Sequence, residues 1–290
     1  MNNFDIPILK NQSDFDNFHQ DYAGKESLGL IPTMGNLHDG HLSLLEVSLK
    51  DNDISIMSIF VNPTQFGKNE DLGNYPRTFA TDLNKVIDLA NRYPEKKVFI
   101  FFPENDAVIY PEGFNDYITM PGLNNILEGV HRPTHMNGVA TVVKRLFKLV
   151  RPTRAYFGLK DYQQLILIKQ LVFTEKLDVE VIGLPIVRET SGLAMSSRNG
   201  YLSTEQREEA LTLNRALTEV VNKISNQTSY DTIKDEIKLK LNDKRFNYLD
   251  IRDANTLAEI ETIEAGQDLV VLGNFQLGTT RLLDNLVVKG

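Results

Sequence analysis

The chain has 290 residues, carries a formal net charge of −8 and contains no cysteine. The lack of cysteine excludes disulfides, thiolate catalysis and Cys-ligated metal centres, and the negative charge argues against a nucleic-acid partner held by bulk electrostatics. We expect neither a secretion signal nor a membrane span, because the first residues lack a basic segment followed by an apolar run, and no stretch of about 18 apolar residues occurs.

Apolar runs alternate with helical patterns over the first two thirds of the chain. Strands are predicted at residues 28–31, 54–61, 98–102, 155–157 and 179–184. The clearest helical pattern covers residues 139–150, with apolar side chains at helical spacing, and a second one starts after Asp161. Strands that are apolar throughout and separated by helices predict an α/β, Rossmann-like parallel sheet, which binds its ligands beyond the carboxyl ends of the strands.

The pattern changes near residue 190, where two helical segments are followed by three strand-like ones. The helices are predicted at residues 203–224 and 231–241, and the strands at 246–251, 268–272 and 280–288. Helices followed by neighbouring strands are typical of a small α+β domain. We therefore predict a Rossmann-like catalytic domain over residues 1–186 and a smaller α+β domain over residues 187–290.

The segment from Pro32 to His41 joins the first predicted strand of the sheet to a helical segment. It places His38 and His41 three residues apart, on one face of a helical turn. Unpaired backbone N–H groups and the positive end of the helix dipole favour a phosphate there, and histidine can donate a hydrogen bond or a proton to it. The alternative interpretation is a histidine-bearing turn without a function.

Two other segments carry groups suited to phosphate. Ser196, Ser197 and Arg198 lie on a loop that follows a glycine, and Lys160 directly follows a predicted strand. Arginine binds phosphate through a fork of N–H donors, and lysine acts as a point charge. Either segment by itself could equally be a solvated loop or a surface lysine beside an N-cap. P-loop and Gly-x-Gly-x-x-Gly patterns do not occur, so nucleotide binding must use these other parts.

His38-Asp39-Gly40-His41 together with Met195-Ser196-Ser197-Arg198 resembles the nucleotidyltransferase superfamily. Further motifs narrow the resemblance, and they occupy residues 60–67, 69–72, 75–78, 128–133, 138–143, 160–164 and 193–202. With them, residues 28–202 resemble the pantothenate synthetase (pantoate–β-alanine ligase, AMP-forming) family. The C-terminal part resembles it more loosely, through residues 248–250 and 281–285.

The resemblance implies a reaction in two steps. The carboxylate of (R)-pantoate attacks ATP to give pantoyl adenylate and pyrophosphate, and the amine of β-alanine then displaces AMP to give pantothenate. It further implies that Mg²⁺ bridges the phosphates, that the enzyme is cytoplasmic, and that it is a homodimer formed through the N-terminal domain.

The resemblance also assigns roles to residues. His41 is implied as the proton donor. The stabilisation of charge on the departing pyrophosphate is implied to be shared with His38, Lys160, Ser196, Ser197 and Arg198. Gln65 is implied to bind pantoate and β-alanine, and Gln164 to bind pantoate; Asp82 is the expected magnesium ligand. The implied ATP-binding residues are Met34, Gly35, Asn36, Leu37, His38, Asp39, Gly40, His41, Gly158, Leu159, Lys160, Asp161, Val187, Met195, Ser196, Ser197 and Arg198.

The chain departs from the family pattern at Leu159, where an acidic residue is usual, and has Asp39 where Glu is more common. Because water hydrolyses an acyl adenylate, we expect the site to close, with residues 68–74 as the gate. Two rival functions remain open, another adenylyl or cytidylyl transferase and an ATP sensor without chemistry. The composition offers no basic surface for a nucleic-acid-binding role.

Overall fold

The computed structural model describes residues 6–22, 24, 26–68 and 70–290. By its internal contacts the chain divides into two compact units. The first comprises the residues up to Gly158 together with Leu167–Leu184, and the second comprises Leu159–Ile166 together with Pro185–Gly290. The domain boundary between residues 186 and 187 stays a prediction.

A parallel six-stranded sheet organises the first unit. Its strands are β1 (Ile8–Leu9), β2 (Leu28–Thr33), β3 (Ile54–Ile59), β4 (Lys97–Phe101), β5 (Arg154–Gly158) and β6 (Glu180–Leu184). They pair side by side in the order β1-β4-β3-β2-β5-β6, and all the pairs are parallel. The predicted Rossmann-like parallel sheet is thereby confirmed. Among the strands of the described residues, β1 was not predicted, because two residues carry no periodic signal.

Helices connect the strands and the segments that follow them. They are α1 (Gln12–Tyr22), α2 (Asp39–Asp51), α3 (Phe79–Ala90), α4 (Pro121–Asn124), α5 (Glu128–His131), α6 (His135–Val150) and α7 (Tyr162–Glu175). The predicted helix at residues 139–150 is α6, and the one expected after Asp161 is α7.

The side chains of β4 show why helices lie on both faces of the sheet. Successive side chains of a strand point to opposite faces. Val98 and Ile100 belong to a core that includes apolar residues of α2 and α3. Phe99 and Phe101 point the other way and meet Phe18 and Phe15 of α1, with ring centroids 5.1 and 5.0 Å apart. Burial on both faces explains why the strands are apolar throughout.

The second unit contains the predicted α+β arrangement. Its elements are α8 (Thr204–Ser225), α9 (Tyr230–Lys240), β7 (Phe246–Asp253), β8 (Asp268–Leu277) and β9 (Thr280–Lys289). The strands form an antiparallel sheet in the order β7-β8-β9. Ser203 caps α8 by accepting a hydrogen bond from the backbone N–H of Gln206. Apolar residues of α8, α9 and the sheet form the core of this unit.

In the part of the chain that the structure describes, no helix is both long enough and apolar enough to span a membrane.

Candidate active site

The turn after β2 has a backbone that few residues adopt. Gly35 and Asn36 have φ angles of 82° and 49°, in the left-handed region. A Cβ atom on Gly35 would lie 3.0 Å from the Ile59 side chain and 3.2 Å from Oδ2 of Asp82. Glycine at this position therefore lets the turn approach both β3 and α3 closely.

Asp82, in the first turn of α3, holds this turn in place. Its Oδ2 accepts hydrogen bonds from the backbone N–H of Asn36 at 2.9 Å and the hydroxyl of Thr78 at 3.0 Å. Its Oδ1 accepts one from the N–H of Leu37 at 2.8 Å. One turn later, Nζ of Lys85 donates to the carbonyl of Leu37 at 2.5 Å. Helix α3 thus fixes the turn that leads to the two histidines.

The contacts of Asp82 do not fit the role of magnesium ligand that the resemblance implied. The side chain is 1% exposed, and three of the roughly four lone pairs of its carboxylate already accept hydrogen bonds. Mg²⁺ usually keeps several waters and needs ligands that it can reach. Among the described residues, moreover, no group of three or more histidine or acidic side chains is arranged to hold a metal.

His38 and His41 lie at the N-terminus of α2, with their ring centroids 4.0 Å apart. His38 is the N-cap residue, and its backbone N–H donates to Nδ1 of His41 at 3.3 Å. Because Nδ1 accepts this hydrogen bond, the proton of a neutral His41 ring is on Nε2. His41 is therefore oriented as an Nε2–H donor at the end of the helix where backbone N–H groups favour an anion.

Gln65 contacts the same turn. Its Nε2 lies 3.0 Å from Sδ of Met34, and its Oε1 accepts from Nδ2 of Asn62 at 3.2 Å. The backbone carbonyl of Gln65 lies 3.1 Å from Nδ1 of His135 on α6. Asn62 was not predicted as a site residue, although it directly precedes Pro63 in a motif that contains Gln65.

Close packing of α6 fixes the segment that carries Gln65. A Cβ atom on Gly138 would lie 2.4 Å from the backbone carbonyl of Thr64, so only glycine fits. The Tyr110 hydroxyl donates to Oδ1 of Asn62 at 2.7 Å. Burial raises the pKa of Tyr110 to about 12, against a weaker opposing effect of its hydrogen bond with Thr64, so the hydroxyl stays protonated and remains a donor.

The predicted gate, residues 68–74, carries a bidentate ion pair at Glu70. The Glu70 carboxylate accepts hydrogen bonds from Nε of Arg132 at 3.0 and 3.1 Å and from a terminal nitrogen of the same guanidinium. Burial pushes the pKa of Glu70 upward, but the hydrogen bonds and charge of Arg132 outweigh it, so this pKa is lowered. Asn69 lies outside the described residues, and the gating role stays a prediction.

In the second unit, Lys160 lies in a 3₁₀ turn, Leu159–Asp161, directly before α7. Its Nζ is 3.2 Å from Oδ1 of Asp161, and the Lys160 side chain is 20% exposed. Gln164 lies in the first turn of α7 and is half-buried. Lys160 is thus held by an adjacent carboxylate, and part of its side chain is exposed.

The segment from Val187 to Arg198 forms a short hairpin that ends in a 3₁₀ turn. The N–H of Met195 donates to the carbonyl of Val187 at 3.0 Å, and Arg188 forms a β-bridge with Ala194. The Ser196 hydroxyl caps the following turn, Ser197–Tyr201, by accepting from the N–H of Arg198 at 3.3 Å.

Two predicted site residues, Lys160 and Ser196, line the same small pocket of the second unit. Lys160, Ser196 and Asp284 all contribute to its lining. The structure thus brings Met34 and Gln65 to the histidine-bearing turn in the first unit, and brings Lys160 to Ser196 in the second. The sequence did not predict Asn62, Asp284 and Lys85, because their role comes from contacts that no local pattern reveals. It named Asp82, but as a magnesium ligand and not as the residue that holds the turn.

Comparisons with known proteins agree on one family. A profile of the family described as pantoate-beta-alanine ligase matches residues 7–287. The chain is 46% identical over 270 residues to a pantothenate synthetase of Caldicellulosiruptor bescii, covering 91% of this chain and 92% of that one. It is 43% identical over 285 residues to a pantothenate synthetase of Pseudothermotoga lettingae, covering 97% and 98%.

Solved structures give the same result. The crystal structure of pantothenate synthetase from Thermus thermophilus is similar with a TM-score of 0.87 and 38% identity, covering 98% of this chain and all of that one. The pantoate-beta-alanine ligase from Francisella tularensis, complexed with beta-gamma ATP and beta-alanine, has a TM-score of 0.72 and 32% identity, with 98% of each chain covered.

Proposed function

The chain belongs to the pantoate–β-alanine ligase family, and on that premise we propose that it uses ATP to condense (R)-pantoate with β-alanine. The products are pantothenate, AMP and pyrophosphate, with pantoyl adenylate as the intermediate. The observation that carries the proposal is the family match over residues 7–287, which includes every segment that holds the candidate site residues.

In the first step, a carboxylate oxygen of pantoate attacks the α-phosphorus of ATP, and the bond to the bridging oxygen of pyrophosphate breaks. Negative charge moves onto the departing pyrophosphate, and preorganised donors that face it lower the barrier. His41, oriented as an Nε2–H donor, acts as the proton donor at this point. His38 and the backbone N–H groups at the start of α2 hold the phosphates beside it.

The cationic and hydroxyl groups of the second unit share this task. Lys160 offers a point charge, and Arg198 offers two parallel N–H donors to phosphate oxygens. The hydroxyls of Ser196 and Ser197 add donors that carry no charge. Lys160 and Ser196 line the same pocket, which supports their acting on the same phosphate group.

In the second step, the amine of β-alanine attacks the acyl carbon of pantoyl adenylate, and AMP leaves with the bridging oxygen. The amide of Gln65 supplies both a donor and an acceptor, which suits an acid that bears hydroxyl groups. Gln164 binds pantoate in the same way. The crystal structure of the Francisella tularensis relative, complexed with beta-gamma ATP and beta-alanine, supports ATP and β-alanine as substrates of this chain.

The remaining family features are proposals on the same premise. Mg²⁺ bound with ATP would neutralise charge on the phosphates, and Asp82 would not hold it, since this carboxylate is engaged with backbone N–H groups. The protein works in the cytoplasm as a homodimer, and light scattering coupled to size-exclusion chromatography tests the dimer.

The function is tested by incubating the protein with ATP, pantoate and β-alanine and following AMP and pantothenate over time. The proposal expects equal amounts of both products and none when any one substrate is omitted. Formation of a cytidylate or of a different adenylylated product would favour the rival transferase, and ATP binding without turnover would favour a sensor.

A further inference from the structure

Asn285 on β9 holds the backbone that carries Lys160. Its Nδ2 donates to the carbonyls of Leu159 at 2.8 Å and Lys160 at 2.9 Å. The side chain is 3% exposed, so water does not compete for these hydrogen bonds. Both protons of one amide are thus used on two consecutive carbonyls of the turn that presents the lysine.

The preceding residue, Asp284, holds the other phosphate-binding segment of this unit. Its carboxylate accepts two parallel hydrogen bonds from Arg188, at 2.7 and 2.8 Å. Arg188 also donates to the carbonyl of Gly192 at 3.1 Å and forms the bridge to Ala194, two residues before Ser196. Asp284 is 5% exposed, and a bidentate arginine–carboxylate pair in such a position fixes direction as well as distance.

The two attachments are themselves linked. The backbone N–H of Asn285 donates to Oδ1 of Asp284 at 2.8 Å. Successive side chains of a strand point to opposite sides, so two neighbours on β9 can each hold a different segment. A single strand therefore fixes the turn that carries Lys160 relative to the hairpin that ends at Ser196.

We propose that Asp284 and Asn285 are positioning residues that align Lys160 with the Ser196–Arg198 segment on one phosphate group. The inference rests on the proposed function, and it extends the site to a strand more than 80 residues beyond the last predicted site residue.

The test is a double-mutant cycle between Asn285→Ala and Lys160→Ala, read as pantoate-dependent exchange of labelled pyrophosphate into ATP. A misplaced catalytic group costs up to about a hundredfold, so Asn285→Ala should lower kcat by about tenfold or more. Because Asn285 acts through Lys160, the same substitution should have little further effect in the Lys160→Ala background.

Asn247→Ala is the matched control. It lies on β7 of the same sheet and removes an amide hydrogen bond to Asn274, 2.6 Å long, that touches neither phosphate-binding segment. It should leave kcat unchanged even where it lowers the thermal midpoint as much as Asn285→Ala does. Hydrogen exchange should be faster at residues 159–161 in Asn285→Ala and unchanged there in the control.

The proposal is overturned if Asn285→Ala lowers kcat by the same factor with and without Lys160. It is also overturned if Asn285→Ala changes kcat without changing hydrogen exchange at residues 159–161, or the reverse. A kcat and a hydrogen-exchange rate equal to those of Asn247→Ala would overturn it as well. Wild-type protein without pyrophosphate exchange would instead refute the proposed function, while the hydrogen-exchange comparison would still test the attachment. Should Asn285→Ala not fold, Asn285→Ser is measured in its place with the same outcomes.

Discussion

Replacing Asp82 by asparagine separates the two roles that this carboxylate could have. In the structure it accepts hydrogen bonds from the N–H groups of Asn36 and Leu37 and from the hydroxyl of Thr78. Asparagine has nearly the same shape, but one acceptor oxygen becomes an NH₂ donor. In either orientation of the amide, its NH₂ group faces a backbone N–H, of Asn36 or of Leu37, that has lost its acceptor.

The size of the effect follows from those contacts. A hydrogen bond to a charged group contributes about 1.5–3 kcal/mol, and a buried N–H without an acceptor costs about 1–3 kcal/mol. Asp82→Asn should therefore disfavour the native turn by about 3 kcal/mol. Since each 1.4 kcal/mol corresponds to about a tenfold change, adenylate formation should fall by about a hundredfold as the histidines lose their position.

The assay is pantoate-dependent pyrophosphate exchange, measured over a range of magnesium concentrations. If Asp82 holds the turn, the rate falls while the magnesium concentration for half-maximal rate stays as in the wild type. Asp88→Asn, at an exposed position of the same helix, is the control and should change neither quantity. A variant that regains its activity at high magnesium would refute this reasoning and restore Asp82 as a metal ligand.

Three other predictions concern the proposed phosphate donors, helix α6 and the ion pair of Glu70. His41→Ala and Lys160→Ala should each lower adenylate formation by about a hundredfold or more, because each removes a donor to the departing pyrophosphate, and near-normal exchange rates would contradict their roles. Gly138→Ala should lower the thermal midpoint and raise the KM for pantoate, since its Cβ would lie 2.4 Å from a backbone carbonyl; unchanged values would show that α6 can shift at no cost. The lowered pKa of Glu70 means that its pair with Arg132 stabilises the protein fully above about pH 4.5 and loses this effect as the pH falls through that lowered value. The difference in thermal midpoint between wild type and Glu70→Gln should accordingly shrink as the pH falls below about 4.5. A difference that stays constant as the acidity rises would contradict the assignment.

The sequence predicted those parts of the fold that depend on local periodicity. Helix α6 was predicted because its apolar spacing covers three turns, and α8 because a long helical pattern covers residues 203–224. Strand β1 was missed because it has only two residues. Its pairing with β4 is a tertiary contact, which local periodicity does not predict.

The candidate site was predictable only in part, for a physical reason. Side chains that would touch substrate, such as His41 and Lys160, have a chemical type and a place in a motif. Residues that hold the backbone beside them, such as Lys85 and Asn285, act through contacts with segments distant in the chain, which a single sequence does not encode locally. Asp82 shows the intermediate case, because an acidic residue is consistent with a metal ligand until the N–H groups around it are seen.

The most direct test of the account follows the carboxylate oxygens of pantoate. In the proposed reaction one of them becomes the bridging oxygen of pantoyl adenylate and leaves with AMP. Pantoate labelled with ¹⁸O in its carboxylate should therefore transfer one labelled oxygen to the phosphate of AMP and none to pyrophosphate. Release of unlabelled AMP, or label in inorganic phosphate together with ADP, would contradict the account.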